Sequence, residues 1–139
     1  MKIKYQIISA EKLLLLKFSG EWSLNDYKNS LDRFIHIEDL DTVNKVLSDF
    51  RSITTKSAVD QIKELAEIRE KIIKKKYVHV RIVNSPLTTG LAHLYHEELN
   101  VRGYLDNYCS TIERAINLLN LNMEAEEIDD LLHNLDNTL

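Results

Sequence analysis

The sequence predicts an α/β domain built on a mixed sheet. Three observations carry that expectation: strand-like and helix-like runs alternate, the connections between them are short, and the first two strand-like runs follow one another directly. Strands separated by helices need parallel neighbours and right-handed crossovers. The opening pair, Lys2 to Ser9 and Leu13 to Ser19, is joined only by Ala10-Glu11-Lys12 and suits an antiparallel hairpin. A single domain with five strands follows over residues 1–120, and residues 121–139 form an amphipathic helix appended to it, packed on the domain or on a partner.

Each element has a local reason. Tyr5 and Ile7 alternate with polar neighbours, whereas Leu13 to Leu16 does not alternate and so predicts a strand covered on both faces. Gly20 closes that strand, Ser23 is placed as an N-cap, and Leu24, Tyr27, Leu31 and Phe34 make one helical stripe. A third strand, Val43 to Phe50, leads to a helix from about Ser57 to Lys75 with Val59, Ile62, Leu65, Ala66, Ile72 and Ile73 on one side. Tyr77 to Val83 is rich in β-branched residues and forms the fourth strand. Asn84-Ser85-Pro86-Leu87-Thr88 turns into a helix through roughly Asn100, Gly103 stops it, and Tyr104 to Cys109 is the fifth strand. Ser110 or Thr111 opens the next helix, and Met123 to Leu135 is the last, with Ile128, Leu131, Leu132 and Leu135 on its apolar side.

At 139 residues the chain is long enough for one substantial core. A hydrophobic share of 44% beside 29% charged residues is the composition of a folded globular protein. The longest apolar run, Leu13 to Leu16, is far too short for a membrane span, and no signal-peptide core follows the basic start. The expected location is the cytoplasm, which the single cysteine, Cys109, fits. A net charge of -4 argues against a nucleic-acid partner.

Three strings point further: Phe18-Ser19-Gly20-Glu21 ending the second strand, Leu47-Ser48-Asp49-Phe50-Arg51 ending the third, and Leu91-Ala92-His93-Leu94-Tyr95 in the helix after the fourth. With the order of elements, they resemble the STAS-like, SpoIIAA-like domains of bacterial cytoplasmic proteins. That resemblance implies a regulatory or protein-interaction module and no enzymatic activity. Anti-sigma factor antagonists of this fold carry an Asp-Ser-Ser-Gly-like turn with a phosphorylatable serine. The matching stretch here, Arg51 to Ser57, lacks the glycine and the paired serines, leaving Ser52, Thr54, Thr55 and Ser57 as the phosphorylation candidates that the resemblance implies.

Asp49, Arg51, Asn84, Ser85 and Thr88 fall at the carboxyl ends of parallel strands, where ligands dock in open α/β sheets. They form the candidate ligand or partner surface, with an anionic or lipidic small molecule as the ligand alternative. Arg51 can present its fork to an anion or pair with Asp49, two residues away on the same strand face. His93 and His96 share a helix face, but their spacing matches no zinc motif, and neither a metal nor another cofactor is expected. His79 reads as a satisfied histidine and Cys109 as a small hydrophobe. Lys71, Lys74, Lys75 and Lys76 complement a helix carboxyl end. Without a catalytic constellation, the sequence predicts a non-enzymatic module with a protein partner, homodimerisation being a second arrangement.

Overall fold

A computed structural model describes residues 1–56 and 58–139. Six strands form one sheet in the order β5-β4-β3-β2-β1-β6. β1 (Lys2–Ile8) and β2 (Leu13–Glu21) make the expected antiparallel hairpin. β3 (Lys45–Thr54), β4 (Val78–Ile82) and β5 (Leu105–Cys109) then add in parallel. The sheet has one strand more than the sequence predicts: β6 (Asn137–Thr138) pairs antiparallel with β1. Two residues carry no period, so a strand that short is set by its partner and not by its own pattern.

The hairpin turn is a 3-10 segment, Ser9–Glu11, ended by Lys12 in the left-handed conformation at φ 50. α1 (Leu24–Phe34) starts at Ser23, whose side chain accepts from the Asp26 backbone N–H at 3.1 Å. α2 (Ile62–Ile72) follows a 3-10 turn at Val59–Gln61 and is shorter at both ends than predicted. The chain leaves the helix at Ile73, φ -95 and ψ 100, because Ile73 and Tyr77 are buried against α1, where Tyr77 meets Phe34 edge to face. Lys75 consequently lies outside the helix, donating to the carbonyls of Val43 and Asp41. α3 (Pro86–Val101), α4 (Ile112–Leu119) and α5 (Ala125–His133) complete the chain.

Strand residues alternate between two covered faces. Leu13, Leu15, Leu47, Val80 and Ile82 pack under α4 and α5, where Ile128 and Leu132 are buried with them. Leu14, Leu16, Phe18 and Val46 face the side of α1 and α2. Burial of Leu13 to Leu16 on both faces explains why that strand does not alternate in hydrophobicity. The appended segment therefore lies on the domain itself, α5 against α4 and β2, and β6 on the sheet edge.

β3 runs four residues past the predicted end. Its partner β4 stops at the Asp49↔Ile82 pair, but a register shift between Lys17 and Ser19 lets β2 follow it to Thr54. Arg51 is in consequence a strand residue like Asp49, and both side chains obey the strand's alternation.

Candidate functional site

That alternation divides the sequence-predicted residues between the two faces. Asp49 follows Leu47 onto the α4–α5 side, where it is 2% exposed. Its carboxylate accepts from Nε and Nη2 of Arg51 at 2.9 Å each and from the Arg51 backbone N–H at 3.0 Å. Arg51 also lies 4.0 Å from Asp129 of α5. The hydrogen bonds to Asp49 raise the guanidinium's pKa above its usual value against the opposing effect of burial, with smaller help from the charges of Asp49 and Asp129. The pair is bidentate and ties β3 to the last helix, leaving Arg51 little reason to seek an outside anion.

Ser85 caps α3: its hydroxyl accepts from the Thr88 N–H at 3.1 Å and the Thr88 hydroxyl answers with a contact to the Ser85 N–H, a capping box behind Pro86 at the first helical position. Asn84 is exposed beside it. Ser52 and Thr54 are exposed strand residues and Thr55 is half-buried, while Ser57 lies outside the described residues. Of the five predicted surface residues, Thr88 alone lines the cavity between the helices and the sheet.

The cavity is on the opposite face, where α1, α2 and α3 meet the carboxyl ends of β3 and β4, and holds about 90 Å³. Trp22 and Tyr27 wall it from one side, Ile62 and Leu65 from α2, and Leu91 and Tyr95 from α3. Phe50 and Ile53 of β3 form its floor, with Arg81 of β4 and Val83 just past the end of that strand. A second, inner cavity of about 40 Å³ lies behind it, and Tyr27, Phe50 and Arg81 line both.

Between the two runs a chain of buried polar groups. The guanidinium of Arg81 lies 4.7 Å above the Tyr95 ring and binds Asp106 of β5 through Nη1. Its Nη2 is 3.3 Å from Nδ1 of His79. Arginine only donates, so Nδ1 accepts and the proton of the neutral ring is on Nε2. That proton points to the Ser48 hydroxyl at 2.7 Å, which must accept it and is left with its own O–H free. Burial, then the charges of Arg81 and Arg69, lower the His79 pKa well below 6.5 and hold the ring neutral. Tyr27 and Tyr95 share a hydrogen bond between their hydroxyls. Burial and the Tyr27 neighbour raise the Tyr95 phenol well above 10, so it acts as a neutral wall.

His93 and His96 are held by β5 and not by each other: His93 Nδ1 meets the Tyr108 hydroxyl at 2.9 Å and His96 Nδ1 the Asp106 carbonyl at 2.6 Å. Cys109 is half-buried, its thiol pKa raised by burial. Among the described residues no three His, Cys, Asp or Glu side chains gather as a metal site would need.

Sequence reading missed Arg69, Arg81, Tyr27 and Tyr95 as site residues, though a signal for each arginine exists. Arg69 falls three, four and seven residues after Ala66, Leu65 and Ile62, in the middle of the α2 apolar stripe. Arg81 interrupts a β-branched strand two residues after His79, on the same face.

No protein-family model matches the chain, and no curated protein matches its sequence. Among the described residues no helix is long and apolar enough to cross a membrane. What stands on structural grounds is an α/β fold with a mixed six-stranded sheet.

Proposed function

We propose that the chain is a non-enzymatic binding module of STAS-like type, acting in the cytoplasm, whose ligand is a small and largely apolar molecule. One observation carries the reading: a cavity of about 90 Å³ opens between α1, α2 and α3 at the carboxyl ends of β3 and β4, and its walls are aromatic and aliphatic apart from Arg81 and the hydroxyl groups. The order of elements supports the STAS-like assignment, and the buried groups around the cavity support binding rather than catalysis. His79 is locked between Arg81 and Ser48, and no activated nucleophile lies beside it.

Trp22 is the only tryptophan and lines this cavity, so its fluorescence reports occupancy directly. Titration with 1-octanol is expected to shift and saturate the Trp22 emission, and Ala92→Leu, which fills the cavity from α3, to abolish the response with the fold intact by circular dichroism. An unsaturable response, equal in both proteins, would sink the ligand reading.

A second reading, the protein-interaction module, has its own observation. Leu87, Leu94 and Val101 repeat at seven residues along α3 and are 42%, 38% and 87% exposed, with Leu105 of β5 nearby in sequence at 62%. Such a stripe fits a protein partner or a second copy of the chain. Size-exclusion chromatography with light scattering, comparing wild type with Leu94→Glu, tests the homodimer: a monomer in both removes it.

A further inference from the structure

The inner cavity is lined by a buried cation with which no carboxylate among the described residues forms an ion pair. Four charged side chains are buried: Asp49, Arg69, Arg81 and Asp106. Asp49 belongs to Arg51 on the far face, and Asp106 belongs to Arg81. Arg69 remains. It is 6% exposed, its Nε is buried without a hydrogen-bond partner, and no carboxylate of the described residues pairs with it. Burial works against the charge, and Tyr95, Tyr27, Asp106 and Tyr104 stabilise it from nearby without a hydrogen bond to it, the Tyr104 ring lying 5.4 Å from the guanidinium carbon. An ionised group taken from water without a partner is costly, and a ring face offsets only a small part of that cost.

Arg69 lines the inner cavity together with Ser48, whose hydroxyl accepts from His79 and keeps its own proton to donate. Of the Tyr27–Tyr95 hydroxyl pair, one proton likewise remains unused, since each bond between two hydroxyls consumes one donor. The space thus offers a cation and neutral donors, and the inner cavity lacks an anion to receive them. A water needs about 10–15 Å³ of such space, so 40 Å³ admits about three heavy atoms. A carboxylate has three; a phosphate has five and carries more charge than one guanidinium balances.

We infer that the inner cavity is a carboxylate site, in which Arg69 and Ser48 take the head group of an apolar monocarboxylic acid whose tail lies in the outer cavity. The inference rests on the binding reading above and adds the ligand's class and its orientation, head inward. The two cavities share Tyr27, Phe50 and Arg81, so head and tail occupy adjoining spaces.

The test compares octanoate, 1-octanol and acetate on wild type, Arg69→Met and Ser48→Ala, followed by Trp22 fluorescence and thermal melting. Octanoate is expected to bind wild type about ten- to a hundredfold more tightly than octanol, the difference a charge-assisted hydrogen-bonded head makes. Arg69→Met should erase that ratio, leave octanol binding unchanged, and melt little lower than wild type without ligand, because it removes a buried charge that has no ion-pair partner. If Arg69→Met fails to fold, Ser48→Ala carries the test, with a severalfold loss for octanoate and none for octanol. Equal affinity for octanoate and octanol in wild type, or a preference that survives Arg69→Met, overturns the carboxylate site while the apolar cavity stands. Should neither eight-carbon probe bind, acetate decides alone: melting raised over chloride of equal ionic strength in wild type but not in Arg69→Met keeps the site, and no difference ends it.

Discussion

The two faces of the sheet are made by the same strands, residue by alternate residue, and end up chemically unlike. Under α4 and α5 the strands present Leu13, Leu15, Leu47, Val80 and Ile82, and α5 adds Ile128 and Leu132; the one buried charge there, Asp49, has every acceptor answered by Arg51. Under α1, α2 and α3 the next residues along are Ser48, His79 and Arg81, Arg69 joins them from α2, and two cavities separate the layers. A core that is packed to completion has nothing left to offer a ligand. The face that retains space and unanswered donors is where the proposed ligand would lie, and the contrast teaches that packing is completed on one side of the sheet and left open on the other.

The largest effect should come from the polar side. Asp106→Ala leaves the Arg81 guanidinium buried without its carboxylate and is expected to cost about 3–5 kcal/mol in urea denaturation. A loss under about 1 kcal/mol would mean that water already solvates Arg81. Truncation on the closed face comes next: Leu132→Ala, at a residue 2% exposed, should cost about 3 kcal/mol through lost burial and an unfilled void. The same change on the open face, Leu91→Ala, removes a half-buried wall of an existing cavity and should cost less than about 1 kcal/mol. Equal losses at the two leucines would erase the difference between the faces.

Between these in size stands a pH effect. The folded pKa of His79 lies below the unfolded value of 6.5, so below that pH the unfolded chain gains a proton that the folded chain refuses. The stability that the neutral ring contributes is complete above pH 6.5 and is lost as pH falls, at up to about 1.4 kcal/mol per pH unit. Urea midpoints between pH 7.5 and 5.5 should fall for wild type, and more shallowly for His79→Gln. Parallel slopes would show that the ring titrates freely.

Much of the architecture was legible because it is local. Ser23 and Thr111 cap helices where a hydroxyl precedes an apolar stripe, and the unbroken Leu13–Leu16 run announced a strand covered on both sides. What depended on partners was not legible. β6 exists only because β1 offers an open edge, and the extension of β3 to Thr54 depends on where β2 shifts register. The site was harder still. The Asp49–Arg51 pair was legible from their spacing of two along a strand, but the longer β3 and the approach of Asp129 from α5, which close off Arg51 as an anion site, were not. Arg69 sat among Glu67, Glu70 and Lys71 in a highly charged helix, and only its place in the stripe marked it as buried.

The short pairing of Asn137 and Thr138 with Tyr5 and Lys4 matters beyond the strand count. An uncovered strand edge displays a row of free amides and carbonyls on which other chains can nucleate cross-β growth. β1 carries Ile3, Tyr5 and Ile7 and would be such a template, and β6, with the Leu139 N–H donating to the Ile3 carbonyl at 2.9 Å, occupies its central positions. Two residues and one further hydrogen bond thus act as a guard against self-templated aggregation along this side of the molecule.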